Sequence, residues 1–125
     1  MLIEDVNSLC KLFGKSEFVV EDIGSVGSWC LEAKGELEDG SFYQFRVSEE
    51  LLMFMSLFSN GSGLLDRVIK NVPVWCKEHE IMAIDFSASP TNREFLLAKI
   101  PEDVINEFFP SPDRDIAIRN NALDN

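Results

Sequence analysis

The chain is short of the side chains that most enzyme chemistry uses. Its 125 residues include one histidine, His79, one tyrosine, Tyr43, and three cysteines, Cys10, Cys30 and Cys76. No CxxC or Cys/His cluster offers a metal site. The cysteines are odd in number and widely spaced, which argues against a disulfide framework and reads as free thiols in a reducing compartment. A catalytic thiol would have only His79 to pair with. Basic residues are scarce too: 11 Lys and Arg stand against 22 Asp and Glu, a net charge of −11. Nucleic acids and anionic membranes both need a basic surface, so direct binding to either is not expected. Long hydrophobic runs are missing: the longest, Leu51 to Met55, is far too short to span a bilayer. Glu4 and Asp5 stand where a secretory signal would carry basic residues, so the expected location is the cytoplasm.

What remains is ordinary globular composition, 46% hydrophobic and 26% charged, at the size of a single domain. Residues 1–120 are expected to form that domain, with 121–125 as a frayed tail. The negative charge is uneven. The first fifty residues carry 11 acids and 4 bases, a net of −7. That balance keeps the protein soluble and suits a basic protein partner or substrate, or mimicry of nucleic-acid charge; a homodimer is also among the expected assemblies.

Hydrophobic periodicity places the elements. Leu2, Ile3, Val6, Leu9, Cys10 and Phe13 recur at helical spacing, and Gly14 is a stop. FVVEDIGSVGSWCLEAKGEL reads as two strands joined around Gly24–Gly27, and LEDG at 37–40 as a turn. SFYQFRVS is a third strand, with Phe42, Gln44 and Arg46 on one face and Tyr43, Phe45 and Val47 on the other. Ser48 followed by Glu49 and Glu50 resembles a helix N-cap, so LLMFMSLF is expected to be a buried helix. SNGSG breaks it, and a second helix runs from Leu64, kinked or interrupted at Pro73. Residues 81–87 and 41–47 are expected as central strands. REFLLAKI reads as a helix, and INEFF and DIAIR as a closing antiparallel pair around Pro110 and Pro112. The class is therefore α+β, a mixed, mostly antiparallel sheet with packed helices. Trp29 and Trp75 read as core residues, Asp85 as an outward strand residue and His79 as a surface residue.

Three segments carry a resemblance. They are Gly61–Ser62–Gly63–Leu64–Leu65, then Trp75 to Ile81 (WCKEHEI), then Asp85 to Arg93 (DFSASPTNR). Their order and spacing resemble the GNAT N-acetyltransferase superfamily. SVGSWCLEA is similar to that family's second and third strands, and FLLAKIPEDVINEFFPSPDRDIAIR to its closing elements, so the likeness covers residues 17–120. It implies a GNAT-like fold and acetyl-CoA as cofactor. Asn60, Gly61, Ser62 and Gly63 would hold the pyrophosphate with backbone N–H groups at the start of the helix from Leu64. Asn92 would open the next helix beside the cofactor, and Glu49 and Glu50 lie where the family often places a general base.

The chain also departs from that pattern. Phe58 or Ser56 stands where the family has Arg or Gln, and LLMFMSLF intervenes between the third strand and the glycine loop. No tyrosine follows Asn92, and Pro101–Glu102 replaces the usual Gly-Phe. The expectation is a GNAT-fold protein whose acyl-CoA-dependent acetyltransferase activity is weak or lapsed, more a scaffold without cofactor than an enzyme. The alternative is a non-enzymatic acidic binding protein. The element order also resembles small acidic chaperones of type III secretion, which dimerise and bind extended clients, although those end in a long helix where this chain has Pro110 and Pro112. Small phage proteins resembling GNATs give a third reading, a structural or inhibitory protein found in a virion. A helix at 91–100 with an antiparallel pair at 104–119 would favour the GNAT reading; a strand at 93–100 followed by a helix would favour the chaperone reading.

Overall fold

The computed structural model describes residues 2–24, 31–61, 63–86 and 100–108. Helix α1 (Ile3–Leu12) buries Val6, Leu9 and Cys10 and ends at Gly14, whose φ of +108° suits glycine. Four strands follow as an antiparallel meander: β1 (Ser16–Asp22), β2 (Leu31–Leu37), β3 (Phe42–Val47) and β4 (Leu51–Phe58). Helix α2 (Leu64–Glu78) then carries the chain back, so that β5 (Ala83–Asp85) pairs parallel to β4. A short helix α3 (Glu102–Phe108) completes the described elements. The strand order β1-β2-β3-β4-β5 makes a mixed, mostly antiparallel sheet, the expected α+β class. The loop expected around Gly24–Gly27, the helix expected at REFLLAKI, the strand expected at DIAIR, the tail 121–125, Cys30 and Trp29 lie largely or wholly outside the described residues.

Four expectations are corrected. LLMFMSLF is strand β4, not a helix. A segment of eight residues with one polar member, Ser56, has no periodicity that separates helix from strand; its neighbours decide, because β4 lies between β3 and β5 and turns Leu52, Phe54 and Leu57 into the core. Ser48 therefore caps no helix. Its hydroxyl accepts the Leu51 N–H at 3.1 Å and its own N–H donates to the Leu51 carbonyl at 2.9 Å, closing a hairpin with Glu49 and Glu50 at the tip. Pro73 does not interrupt α2, since Val72, Trp75 and Cys76 are buried on both sides of it and hold the helix against the sheet. Residues 105–108 of INEFF belong to α3 and not to a strand. Pro101 precedes it and Glu102 and Asp103 fill its first turn, which is how helices start. Finally, β5, expected as a central strand, pairs among the described residues only with β4, at the end of the described sheet.

All three described helices feed one side of the sheet. α1 and α2 close their buried faces onto the inward side chains of the strands to form the core, and Val104 of α3 packs against it. Phe13, just past α1, lies at its centre with ring centroids 5.0 Å from Tyr43, 6.1 Å from Phe45 and 6.4 Å from Phe54. Gly35 makes room for this cluster, because any side chain there would collide with the Tyr43 ring. A register shift between Gln44 and Phe45 leaves Met55 as the extra residue of β4, so that Leu57, not Ser56, faces inward.

Candidate functional site

The glycine loop lies at the carboxyl end of β4 and leads directly into α2. Gly61 has φ +80° and Gly63, the residue before the helix, has φ +84°. A Cβ at Gly61 would meet nothing within 4 Å, and one at Gly63 would reach only Arg67 at 3.8 Å. The glycines answer a backbone requirement rather than a close approach. Asn60 donates its N–H to Ser41 Oγ and its side-chain amide to the Asp39 carbonyl, each at 2.7 Å, tying the loop to the β2–β3 turn. Ser59 Oγ accepts the Leu65 N–H at 3.4 Å, so one amino-terminal N–H of α2 already has a partner. Ser62 and Asn92 lie outside the described residues.

Arg67 is the residue that sequence reasoning missed here. It stands one helical turn after Gly63, so its guanidinium reaches back along α2 to lie beside Gly63 and Gly14, where it donates to the Phe13 carbonyl at 3.1 Å. Asn71, one turn further, donates to the Arg67 carbonyl at 2.8 Å and to the Leu12 carbonyl at 3.4 Å. Together they satisfy carbonyls at the end of α1. The spacing of four residues was the signal; attention to the positions before the glycines hid it.

Glu49 and Glu50 lie at the other end of β4. Eight strand residues separate them from the glycine loop, roughly 26 Å at about 3.3 Å per residue, so the structure does not bring the two sets together. The Glu50 carbonyl accepts the N–H groups of Met82 at 3.0 Å and Ala83 at 3.1 Å, and the two glutamates share a cleft of about 460 Å³ with His79, Glu80 and Met82. His79 is a half-buried tie between helices. Its ring stacks on Trp75 at 4.3 Å, its Nδ1–H donates to the Trp75 carbonyl at 2.8 Å, and Nε2 stands 3.7 Å from Asp5 Oδ1. Trp75, a core residue as expected, donates its indole N–H to the Asp5 carbonyl at 3.0 Å.

The buried nucleophiles are poorly placed for chemistry. Burial pushes the Cys10 thiol from its ordinary 9.0 to about 11, with the Tyr43 hydroxyl bond partly offsetting it, and burial raises Cys76 further. The Tyr43 hydroxyl lies 3.1 Å from Ser16 Oγ, and burial raises its pKa as well. Cys10 and Cys76 are free thiols. Among the described residues no group of three or more His, Cys, Asp or Glu side chains is placed to hold a metal ion.

The outer face of the sheet is different. Strand register sets its side chains in rows: Glu17, Glu36, Phe42 and Phe58; then Val19, Lys34, Gln44 and Ser56; then Glu21, Glu32, Arg46 and Met53. Phe42 and Phe58 stack with centroids 5.5 Å apart yet remain 43% and 39% exposed, and Val19 is 58% exposed. A groove of about 450 Å³ runs from Glu17 and Val19 past Lys34 and Glu36 to Phe42. Arg46 pairs with Glu32 at 2.8 Å, while Glu17, Glu21 and Glu36 make no ion pair among the described residues. No described helix covers this face. Searches of family models, of curated proteins and of solved structures found no match for the chain.

Proposed function

We propose that this protein is a non-enzymatic, acidic protein-binding module whose contact surface is the outer face of its sheet. The observation that carries the reading is the stacked, solvent-exposed Phe42–Phe58 pair on a face that no described helix covers. Exposed aromatic surface of this kind is a common anchor of protein interfaces. The side chains that could perform catalysis support the same reading by their engagement elsewhere: Tyr43 and the thiols are buried, and His79 joins α1 to α2. A net charge of −11 suits a basic partner. Selection of a displayed random-peptide library on the protein tests the reading. Enriched peptides should be basic, and their binding should fall with Phe42→Ser or Phe58→Ser but not with Val74→Ser, an exposed apolar residue on α2. Peptides indifferent to both phenylalanines would refute the reading.

A second reading, a GNAT scaffold with lapsed acetyltransferase activity, draws support from one specific feature. With LLMFMSLF being a strand, the Gly61–Gly63 loop follows its strand directly and opens a crossover helix to a parallel strand. Ligands of open α/β sheets bind outside the carboxyl ends of such strands, and the pantetheine arm of acetyl-CoA is long enough to separate a pyrophosphate site from a distant reacting end. The Ser59 hydroxyl on the Leu65 N–H and the attachment of Asn60 to the β2–β3 turn weigh against tight binding. Calorimetric titration with acetyl-CoA should give no saturable heat. Saturable binding abolished by Gly63→Val would restore this reading over the first.

A further inference from the structure

We infer that the edge of β1 left unpaired by the described residues is a strand-addition site for an extended segment of a partner protein, one that carries Lys or Arg, an apolar residue, and Lys or Arg at alternate positions. The inference rests on the binding-module reading and assigns it a partner class and a point of contact. Among the described residues β1 pairs on one side only, with β2, over seven consecutive residues in unbroken register from Ser16–Leu37 to Asp22–Leu31. Alternate residues of such a strand turn their N–H and C=O groups away from the sheet and present a ready ladder. Proteins usually blunt an exposed edge with proline, lysine, a bulge or a short strand. SEFVVED is seven residues long with no proline, lysine or bulge, and the charges it places on the edge are all acidic, which repel another acidic strand and attract a basic one. It has Glu17, Glu21 and Asp22 and no base, a charge of −3.

Those acids choose the occupant. If two copies paired antiparallel about Val19, Glu17 would face Glu21 twice, and like charges directly opposite each other destabilise a strand pair. A second copy is therefore disfavoured. A strand with cations at positions i and i+4 and an apolar residue at i+2 would set its cations opposite Glu17 and Glu21 and its apolar side chain beside Val19. Because that pattern reads the same in both directions, it fits whether the added strand runs parallel or antiparallel. Glu17 and Val19 also begin the groove that leads past Glu36 to Phe42. A long Lys or Arg side chain placed opposite Glu17 can lay its stem along this groove, with its charge near Glu36 and the face of Phe42. The edge would thus supply main-chain hydrogen bonds and the outer face the selectivity, the division of labour of β-strand addition.

The test uses the full chain labelled with ¹⁵N and a synthetic seven-residue peptide with arginine at its second and sixth positions, valine at its fourth, and threonine and alanine elsewhere. Titration to millimolar concentration should give saturable shifts and slowed amide exchange along β1. A peptide with glutamate in place of both arginines should bind on the order of tenfold or more weakly. Glu17→Lys combined with Glu21→Lys, both at exposed positions, should reverse that preference. Shifts confined to the Phe42–Phe58 region without protection of β1 would overturn this inference and leave the face reading standing. Protection of β1 that is unaffected by Phe42→Ser and Phe58→Ser would do the opposite. Self-association through β1 without peptide, or no binding of the arginine peptide, would also overturn it.

Discussion

On β3, Tyr43, Phe45 and Val47 are sealed beneath the helices, while Phe42, Gln44 and Arg46 alternate with them on the outer face. Each side carries aromatic residues, and the two sides treat them differently. Inside, Tyr43 and Phe45 meet Phe13 and Phe54 edge-on or tilted, in a cluster whose fit depends on Gly35 having no side chain. Outside, Phe42 has one aromatic neighbour among the described residues, Phe58, and much of its ring stays in water. The inner aromatics account for stability. The outer pair adds little that folding requires, so its retention of apolar surface points to contact with another molecule.

The comparison can be broken most sharply from the inside. Phe13→Ala should cost about 3–5 kcal/mol, because it removes the ring on which three aromatic neighbours close. Gly35→Val should also be severe, since it drives a side chain into the Tyr43 ring. Urea denaturation would read both; a loss under 1 kcal/mol for Phe13→Ala would mean that the buried cluster is not where stability resides.

Alkaline pH gives the next largest effect. A thiol with a folded pKa raised above its unfolded value stabilises the fold fully below the unfolded value, because both states are then protonated. Above that value the unfolded chain ionises first, so stability falls as pH rises. For Cys10 the window runs from 9.0 to about 11 and is worth on the order of 3 kcal/mol. Burial of Cys76 and Tyr43 acts in the same direction. Stability followed from pH 8 to pH 11 should decline, and Cys10→Ala should flatten the slope even if it lowers the starting value. A slope unchanged by that substitution would place the titration elsewhere.

The smallest effect belongs to the outer face. Phe42→Ser with Phe58→Ser should change stability by no more than about 1 kcal/mol, the scale of one cross-strand pair, while removing peptide binding. Equal losses from this double variant and from Phe13→Ala would erase the distinction between the faces.

Where local chemistry and packing agreed, the elements were legible from residues alone. Gly14 ends α1 because only a left-handed residue suits that position without strain, and the alternation in FYQFRV divides β3 as its burial does. The candidate site was less legible. Arg67 escaped notice because it reaches its neighbours across a helical turn and from another element. The groove and the β1 edge depend on which strands pair, and that is a property of several segments at once.

By itself, then, the sequence determined the α+β class, the opening helix and its stop, the third strand and its two faces, the second helix from Leu64, and the acidic balance. Each of these follows from short-range periodicity, glycine geometry or a sum of charges. Tertiary structure decided the rest. LLMFMSLF became a strand because a run whose single polar residue, Ser56, sets no period takes its form from the strands beside it, and Pro73 stayed inside α2 because buried side chains on both sides of it outweigh one lost hydrogen bond. The separation of Glu49 and Glu50 from the glycine loop has the same origin. Eight residues folded as a helix would span about half the length they cover when extended, and only the partners of β4 set which length applies.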